Sequence, residues 1–496
     1  MRLSLPLTRL SYTIAATLAV AIPFTSVAQN DITHDTITKG AISQGTTSQD
    51  IASSNKHLGL FSSNFGGLPH VKFYQHDGQD YILTAWGHEA ITVDSEGHFR
   101  SLETGTGTQG KFGSDINGNY VNATITYWGA DHTFARVEDA SDDELVDKIY
   151  QSSWFNSIET QSECHEDWLV KNEDVKYDKE KLNKLLNKFK NNNNFYQKAS
   201  SFLVMKGGQL IIEEYMNGWK QSYPHSIQSV TKSLTSLMTG VAIYENKLSG
   251  IRQPLGELLP NHSQYLQGEK SKITLEHLLM MGAGLDWDEW TVPYSSPENI
   301  RYQEMRSHTP VKFTLDRPLT SEPGTQFNYN GGIVTVAGEI IANSYKKERF
   351  AGAIIDSGLS KLCFKNAYIS AQMGDVSNTA GGGMLRPRDM LKLGMLVNND
   401  GNWQGEPILA KEWIEDSTRG YLYTSPGAST YGYYWWLDDH FVDGRVYKTI
   451  YGLGYGGQMI AIVKDLDLVV VKTATNYANR NDAMHLMKND IIPIFN

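Results

Sequence analysis

Ser229 and Lys232 stand three residues apart in the stretch His225-Ser-Ile-Gln-Ser-Val-Thr-Lys-Ser233. On a helix that spacing stacks both side chains on one face, about one turn apart. A serine hydroxyl is a poor nucleophile until a neighbouring base takes its proton, and a neutral amine can do so. Val230, Leu234, Leu237, Met238 and Val241 follow at helical spacing, which predicts a helix buried along one side. Burial would also lower the lysine pKa, as a basic role requires. The pair alone is weak evidence, because Ser53/Lys56 and Ser344/Lys347 share the spacing. Ser53/Lys56 lies in a polar stretch with no apolar pattern to hold it. Ser344/Lys347 falls in the polar tail of a helix. Only Ser229/Lys232 has a core beside it.

The elements that must position this pair lie on both sides of it. Leu182, Leu185, Leu186 and Phe189 form one helical face after a possible Asp178 cap. Phe202–Met205 and Leu210–Ile212 flank Gly207-Gly208, which predicts a β-hairpin. A largely helical stretch follows over about 245–400. It includes a helix at Ile273–Met280, the Asp- and Trp-rich loop Gly284-Leu-Asp-Trp-Asp-Glu-Trp290, and a short helix at Ile333–Ile341. The chain then returns to strands. Met459–Val463 and Leu468–Thr473 are joined by a turn at Lys464–Asp467, so they must be antiparallel. A last helix is predicted over about Asp482–Ile492. Strands from both ends sharing one antiparallel sheet, with helices against it, make an α+β fold. Ser229 would sit between the sheet and the helical insert.

The remaining sequence bounds the setting. Residues 1–28 have the pattern of a signal peptide: Arg2 and Arg9, an apolar Ile14–Phe24, and small residues at Ser26-Val-Ala28. The apolar run is short for a membrane span, so no stable span is expected after cleavage, and a periplasmic or secreted location is. Residues 29–56 are polar and small, as in a flexible tether. Residues 57–165 carry short strand patterns at Val71–Tyr74, Tyr81–Thr84 and Ala90–Val93 between turns, then helical spacing over Ser141–Tyr150. They are expected to form a small β-rich extension without nameable chemistry. The glycine patterns Gly105–Gly110 and Gly452–Gly457 match a dinucleotide fingerprint in letters only, since neither sits between a strand and a following helix. The net charge of −11 argues against nucleic acid or an anionic membrane as partner. No Cys/His metal pattern appears, and no cofactor is expected. The two cysteines, Cys164 and Cys363, are permitted to bridge in an oxidising compartment, and spacing leaves that open.

Several motifs in order carry a family resemblance over about residues 167–496. They are Ser229-Val-Thr-Lys232, Ile273-Thr-Leu-Glu-His-Leu-Leu, Gly284-Leu-Asp-Trp-Asp, Pro323-Gly-Thr-Gln-Phe-Asn-Tyr329, Gly382-Gly-Met-Leu-Arg-Pro-Arg-Asp389 and Gly454-Tyr-Gly-Gly-Gln458. With them the chain resembles the serine hydrolases of the class C β-lactamase and DD-peptidase type, nearest in look to their 6-aminohexanoate-dimer hydrolase and esterase-like members. The resemblance implies a β-lactamase/transpeptidase-like fold for residues 166–496. It implies Ser229 as the nucleophile that becomes acylated, Lys232 as its base, and Tyr329 as a partner in proton transfer. An ammonium beside Tyr329 would lower the phenol's pKa, so the two would titrate together. The resemblance further implies an oxyanion hole from the backbone N–H groups of Ser229 and Tyr455, with Gly454 allowing close approach. Trp287, Trp290, Tyr434 and Trp435 are candidates for an acyl-pocket wall or for core.

Two departures bear on substrate. The tyrosine motif reads Tyr329-Asn-Gly331, without a side chain at its third position. The stretch Gly452-Leu-Gly454 offers no basic residue to hold a substrate carboxylate. Both favour a small neutral amide or ester over a β-lactam or a D-Ala-D-Ala peptide. The alternatives are a β-lactamase or peptidoglycan DD-peptidase and, in another class, a non-hydrolytic acyl-binding sensor or scaffold.

Overall fold

The computed structural model describes residues 55–65, 68–102, 108–127, 130–160, 166, 175–191, 196–425, 429–477 and 482–496. The expected signal, the expected tether up to residue 54 (Ser53 with it) and Cys164 fall outside them.

The first part is a closed antiparallel barrel of eight strands, each paired with the next in sequence: β1 (Gly59–Ser62), β2 (His70–His76), β3 (Gln79–Thr84), β4 (Gly87–Val93), β5 (His98–Ser101), β6 (Gln109–Ser114), β7 (Tyr120–Tyr127) and β8 (Ala130–Arg136). β8 closes back on β1 through Phe61 opposite Arg136. Closure removes the exposed edges that a small open sheet would present. Phe61, Phe73, Phe99, Phe112 and Phe134 alternate inward along their strands and fill the interior. The turns at Asp77-Gly78 and Gly97 fall where turn residues stand in the sequence, with the backbone in the left-handed region. Helix α1 (Asp142–Tyr150) follows. Its start is a capping box in which Ser141 and Glu144 satisfy each other's backbone N–H groups. Strand β9 (Phe155–Ser157) then leaves the barrel and joins a four-stranded sheet of the second part, ten residues before the boundary expected at 165. Tyr150 stacks on Tyr368 at 4.5 Å, so barrel and second part share a packed seam.

The second part is built on an eight-stranded antiparallel sheet. Helix α2 (Lys179–Lys190) precedes the hairpin β10 (Ala199–Lys206) and β11 (Gln209–Tyr215), which turns on Gly207-Gly208. Strand β12 (His225–Ser226) leads into α3 (Val230–Tyr244), and the helical insert includes α4 (Gly331–Ser344). Strands β13 (Tyr368–Ser370) and β14 (Gly383–Leu385) complete the small sheet with β9 and β12, and α5 (Pro387–Asn398) follows. The last strands are β15 (Trp436–Val442), β16 (Arg445–Gly454), β17 (Gln458–Val463) and β18 (Leu468–Ala474). β18 pairs with both β17 and β10, so the two ends of this part meet in one sheet as expected. Its two faces are both buried. α3 and α5 cover one face with a large apolar layer, and α4 packs on α3 behind it. α2 and the C-terminal helical turns from Ala483 to Phe495 cover the other. This double burial is why β17 and β18 read as continuous apolar runs rather than alternating ones.

Candidate active site

The turn before α3 aims Ser229. Ile227 N–H donates to the Gly383 carbonyl at 2.9 Å, which ties the turn to β14. Gln228 is held in the left-handed region (φ 49°), a strained conformation for a residue with a side chain. Ser229 therefore occupies the N-terminal position of a fifteen-residue helix, with its N–H at the positive end of the helix dipole. Among the described residues that N–H has no hydrogen-bond acceptor.

Lys232 Nζ lies 3.1 Å from Ser229 Oγ and donates to the Ala380 carbonyl at 2.7 Å. It also sits 4.7 Å from the centre of the Tyr329 ring. Burial strips the ammonium of water and lowers its pKa to about 7, against the opposing pull of the Glu289 carboxylate. A substantial neutral fraction is then present at neutral pH, which a base requires.

Tyr329 is buried beside Ser229. Its phenol is pushed up, first by burial and then by the Glu289 charge, which outweigh the Ser229 contact. The lowered phenol that a charged lysine would give is thus not what the structure holds, because Lys232 is itself desolvated toward neutrality. Tyr329 keeps its proton near neutral pH and can donate it.

Glu289 is the residue the sequence reading passed over. It is buried and accepts from Trp287 Nε1 (2.7 Å), Tyr294 OH (2.9 Å) and the Gly331 N–H (2.7 Å). It sits at the start of α4, where a carboxylate is favoured by the helix dipole. The signal was present as Asp-Trp-Asp-Glu-Trp, but pattern alone could not say which acid turns inward. Asp288 instead caps its own loop from the surface, accepting from the N–H groups of Trp290 and Thr291.

The two motif departures have steric reasons. Asn330 is spent as the cap of α4, its Oδ1 accepting from Ile333 N–H at 3.1 Å. A Cβ at Gly331 would meet Arg301 Cδ at 2.7 Å, so the missing side chain is space already filled by Arg301. At Gly452 a Cβ would meet Ser233 Oγ at 2.9 Å and the Trp435 ring at 3.5 Å, so α3 packs where a side chain would begin.

Gly454, at the end of β16, faces the Ile227 carbonyl so closely that any Cβ would collide with it. This brings Tyr455 against the Ser229 turn, and its N–H, like that of Ser229, has no acceptor among the described residues. The two N–H groups can serve a developing oxyanion. The Tyr455 side chain is half-exposed, its OH donating to the Tyr477 carbonyl. Of the four aromatic candidates, Trp287, Tyr434 and Trp435 are buried in the core. Trp290 is 57% exposed and stacks on Tyr329 at 5.1 Å, so it alone of the four faces the mouth.

The other two Ser-x-x-Lys pairs do not resemble a site. Ser344 Oγ donates to the Ile341 carbonyl and Lys347 pairs with Asp356 at 2.5 Å. Lys56 donates to the Gly118 carbonyl. Cys363 is disulfide-bonded, and among the described residues no group of acids, histidines or cysteines could hold a metal. No described helix is long and apolar enough to cross a membrane.

Comparison with known proteins agrees with this architecture. A 6-aminohexanoate-dimer hydrolase of Paenarthrobacter ureafaciens is 22% identical over 300 residues, covering 56% of this chain and 72% of that protein. A Bacillus anthracis structure named as a candidate 6-aminohexanoate-dimer hydrolase superposes with a TM-score of 0.55 at 22% identity, over 71% of this chain and 94% of its own. A penicillin-binding protein homologue from Caulobacter crescentus gives a TM-score of 0.51 at 14% identity, over 64% and 98%. The Beta-lactamase family model matches residues 197–489, more than half of the sequence and the whole of the sheet with its helical insert, and the chain belongs to that family of serine hydrolases.

Proposed function

We propose that the protein is an exported serine hydrolase that cleaves a small neutral amide or ester through an acyl-Ser229 intermediate. The observation that carries this reading is the buried Lys232 amine 3.1 Å from Ser229 Oγ, with a pKa lowered to about 7. Neutral Lys232 takes the Ser229 proton as Oγ attacks the carbonyl carbon. The N–H groups of Ser229 and Tyr455 receive the charge that develops on the carbonyl oxygen. As the tetrahedral intermediate collapses, Tyr329 gives its proton to the leaving nitrogen or oxygen and regains one from the Lys232 ammonium. Water then enters by the same steps and releases the acid.

Substrate class follows from what the mouth lacks. Gly452 has no room for a basic side chain, and the position after Asn330 is filled by Arg301. Arg301 is buried and paired with Glu304, so it is not free to hold a substrate carboxylate, which disfavours penicillins and D-Ala-D-Ala peptides. The exposed face of Trp290 suits an apolar or flat acyl group. The 6-aminohexanoate-dimer hydrolase among the relatives supports an amide as a bond that the site could cleave. The residue 1–28 pattern supports export.

A fluorophosphonate probe and a panel of amide, ester and β-lactam substrates test the reading. Labelling should map to Ser229 and vanish in Ser229→Ala, with ester or amide turnover exceeding nitrocefin turnover by at least about a hundredfold. Labelling that survives Ser229→Ala sinks the assignment. Efficient nitrocefin turnover would favour the β-lactamase alternative, and acylation without turnover the sensor.

A further inference from the structure

Behind the Tyr455 turn lies a cation that the chemistry above does not use. Lys472 stands on β18, paired with Phe202 of β10 on one side and Met459 of β17 on the other. It faces the same apolar layer as Leu468 and Val470. It is buried, and among the described residues no carboxylate is within ion-pair distance. A buried ammonium without a counter-ion is among the least favourable groups a core can hold. Methionine would fill the same volume without that penalty, so its presence asks for a reason.

The contact of Lys472 supplies one. Its Nζ donates to the Gly457 carbonyl at 3.0 Å, the last residue of the turn Tyr455-Gly-Gly457. The rest of that turn is held from the same side. Gln458 Nε2 donates to the Tyr455 carbonyl at 3.2 Å and to the Ala474 carbonyl at 2.6 Å, while Ala474 N–H donates to Gln458 Oε1 at 3.1 Å. Two peptides stand in series behind the donor. Asn476 N–H donates to the Gly456 carbonyl at 3.0 Å, and Gly457 N–H donates to the Gly454 carbonyl at 3.2 Å. The Gly454–Tyr455 peptide ends this chain, so each bond polarises the next toward the Tyr455 N–H. A small cavity of about 90 Å³ separates Lys472 from Asp482, leaving the turn as the polar group that its amine meets.

We propose that Lys472 is a positioning residue for the oxyanion donor, fixing the Gly454–Gly457 turn from behind and placing a positive charge where the developing oxyanion gains from it. This rests on the reading of Ser229 as nucleophile and of the Tyr455 N–H as donor.

The charge and the hydrogen bond separate with pH. Burial lowers Lys472 to about 8. The titratable groups facing it are His225 on β12, which burial and Lys472 both keep neutral, and Asp482 across the cavity. Above about pH 8 the amine still donates to Gly457 but carries no charge. Turnover in the wild type should therefore rise through about pH 7, as Lys232 becomes neutral, and decline above about 8, as Lys472 does.

The test is kcat and KM for a chromogenic ester from pH 6 to 10, on the full chain and on Lys472→Met and Lys472→Arg, with fluorophosphonate labelling and thermal melts. Lys472→Met should fold and label at Ser229. Its kcat should be about tenfold lower at pH 7 with KM within about twofold, and its alkaline decline should be gone. Lys472→Arg should keep more of the kcat and carry its decline beyond pH 10. A Lys472→Met enzyme that loses kcat but keeps the alkaline decline would reduce the lysine to packing. A wild type with no decline near pH 8 overturns the proposal without any variant. Failure of Ser229 to label in the wild type is a separate result, and would instead remove the hydrolase reading.

Discussion

Replacing Gly454 by alanine tests whether the end of β16 is held against the Ser229 turn. An added Cβ would fall more than half an ångström inside the 3.0 Å floor for such contacts with the Ile227 carbonyl oxygen, and also 2.9 Å from Gln458 Cβ. The obstacle is backbone on one side, so no rotamer change relieves it. The strand end and the Ile227–Ser229 turn must separate by at least that half-ångström. Oxyanion donors act over a narrow range of about 2.7–3.1 Å, and misplacement of about 1 Å costs roughly a hundredfold in rate. Gly454→Ala should therefore lower kcat between about tenfold and a hundredfold, with KM little changed, because the ground-state carbonyl gains little from the hole. Overpacking should cost about 1–3 kcal/mol of stability. Stopped-flow acylation with a chromogenic ester, read beside a thermal melt, separates the two effects. A variant with wild-type acylation and an unchanged melt would refute the close approach. So would a variant whose entire rate loss is recovered by cooling below its melt.

The buried lysine of the pair gives a second test. Lys232→Met should abolish turnover by at least about a thousandfold, yet stabilise the fold. The folded pKa of about 7 lies below the unfolded 10.5, so the unfolded chain binds more protons between them and wild-type stability rises with pH over that window. The gain from methionine should be largest below pH 7, roughly 5 kcal/mol at most, and vanish by about pH 10.5. Denaturant melts at pH 6 and 9 check the sign. Tyr329→Phe removes the proposed proton donor and should slow amides more than esters with good leaving groups, whose departure needs no proton. Gly331→Asn should not restore β-lactam turnover. Its Cβ meets Arg301 at 2.7 Å, so the expected result is a loss of about 1–3 kcal/mol and of ester turnover together. Glu289→Ala should unfold or severely destabilise the site, since it strands two buried donors, the Trp287 indole and the Gly331 N–H, together with the half-buried Tyr294 hydroxyl.

Much of this protein follows from local order in the chain. The Ser229 helix, the Gly207-Gly208 hairpin and the antiparallel C-terminal strands each depend on spacing and turn residues a few positions apart, so period and punctuation were enough to place them. The motifs around Ser229, Lys232 and Tyr329 were legible for the same reason, because each is a short run of residue types. Residues 57–165 gave up three of the eight barrel strands, but neither the other five nor the closure. Pairing β1 with β8 joins residues 75 apart in sequence, as Phe61 does with Arg136, and no local pattern encodes that partner. Tertiary packing decided the rest. It turned Glu289 inward and left Asp288 outside. It made the gaps at Gly331 and Gly452 into spaces already occupied by Arg301 and Ser233. It raised Tyr329 where an isolated Lys–Tyr pair would have lowered it, because desolvation depends on everything that surrounds a group. The sequence by itself determined which residues could react and the local elements that carry them. Only the tertiary structure decided their protonation and what stands behind the Tyr455 turn: the first is set by groups distant in the chain that exclude water, such as Ala380 and Glu289 around Lys232, and the second by the register in which β18 pairs with β17.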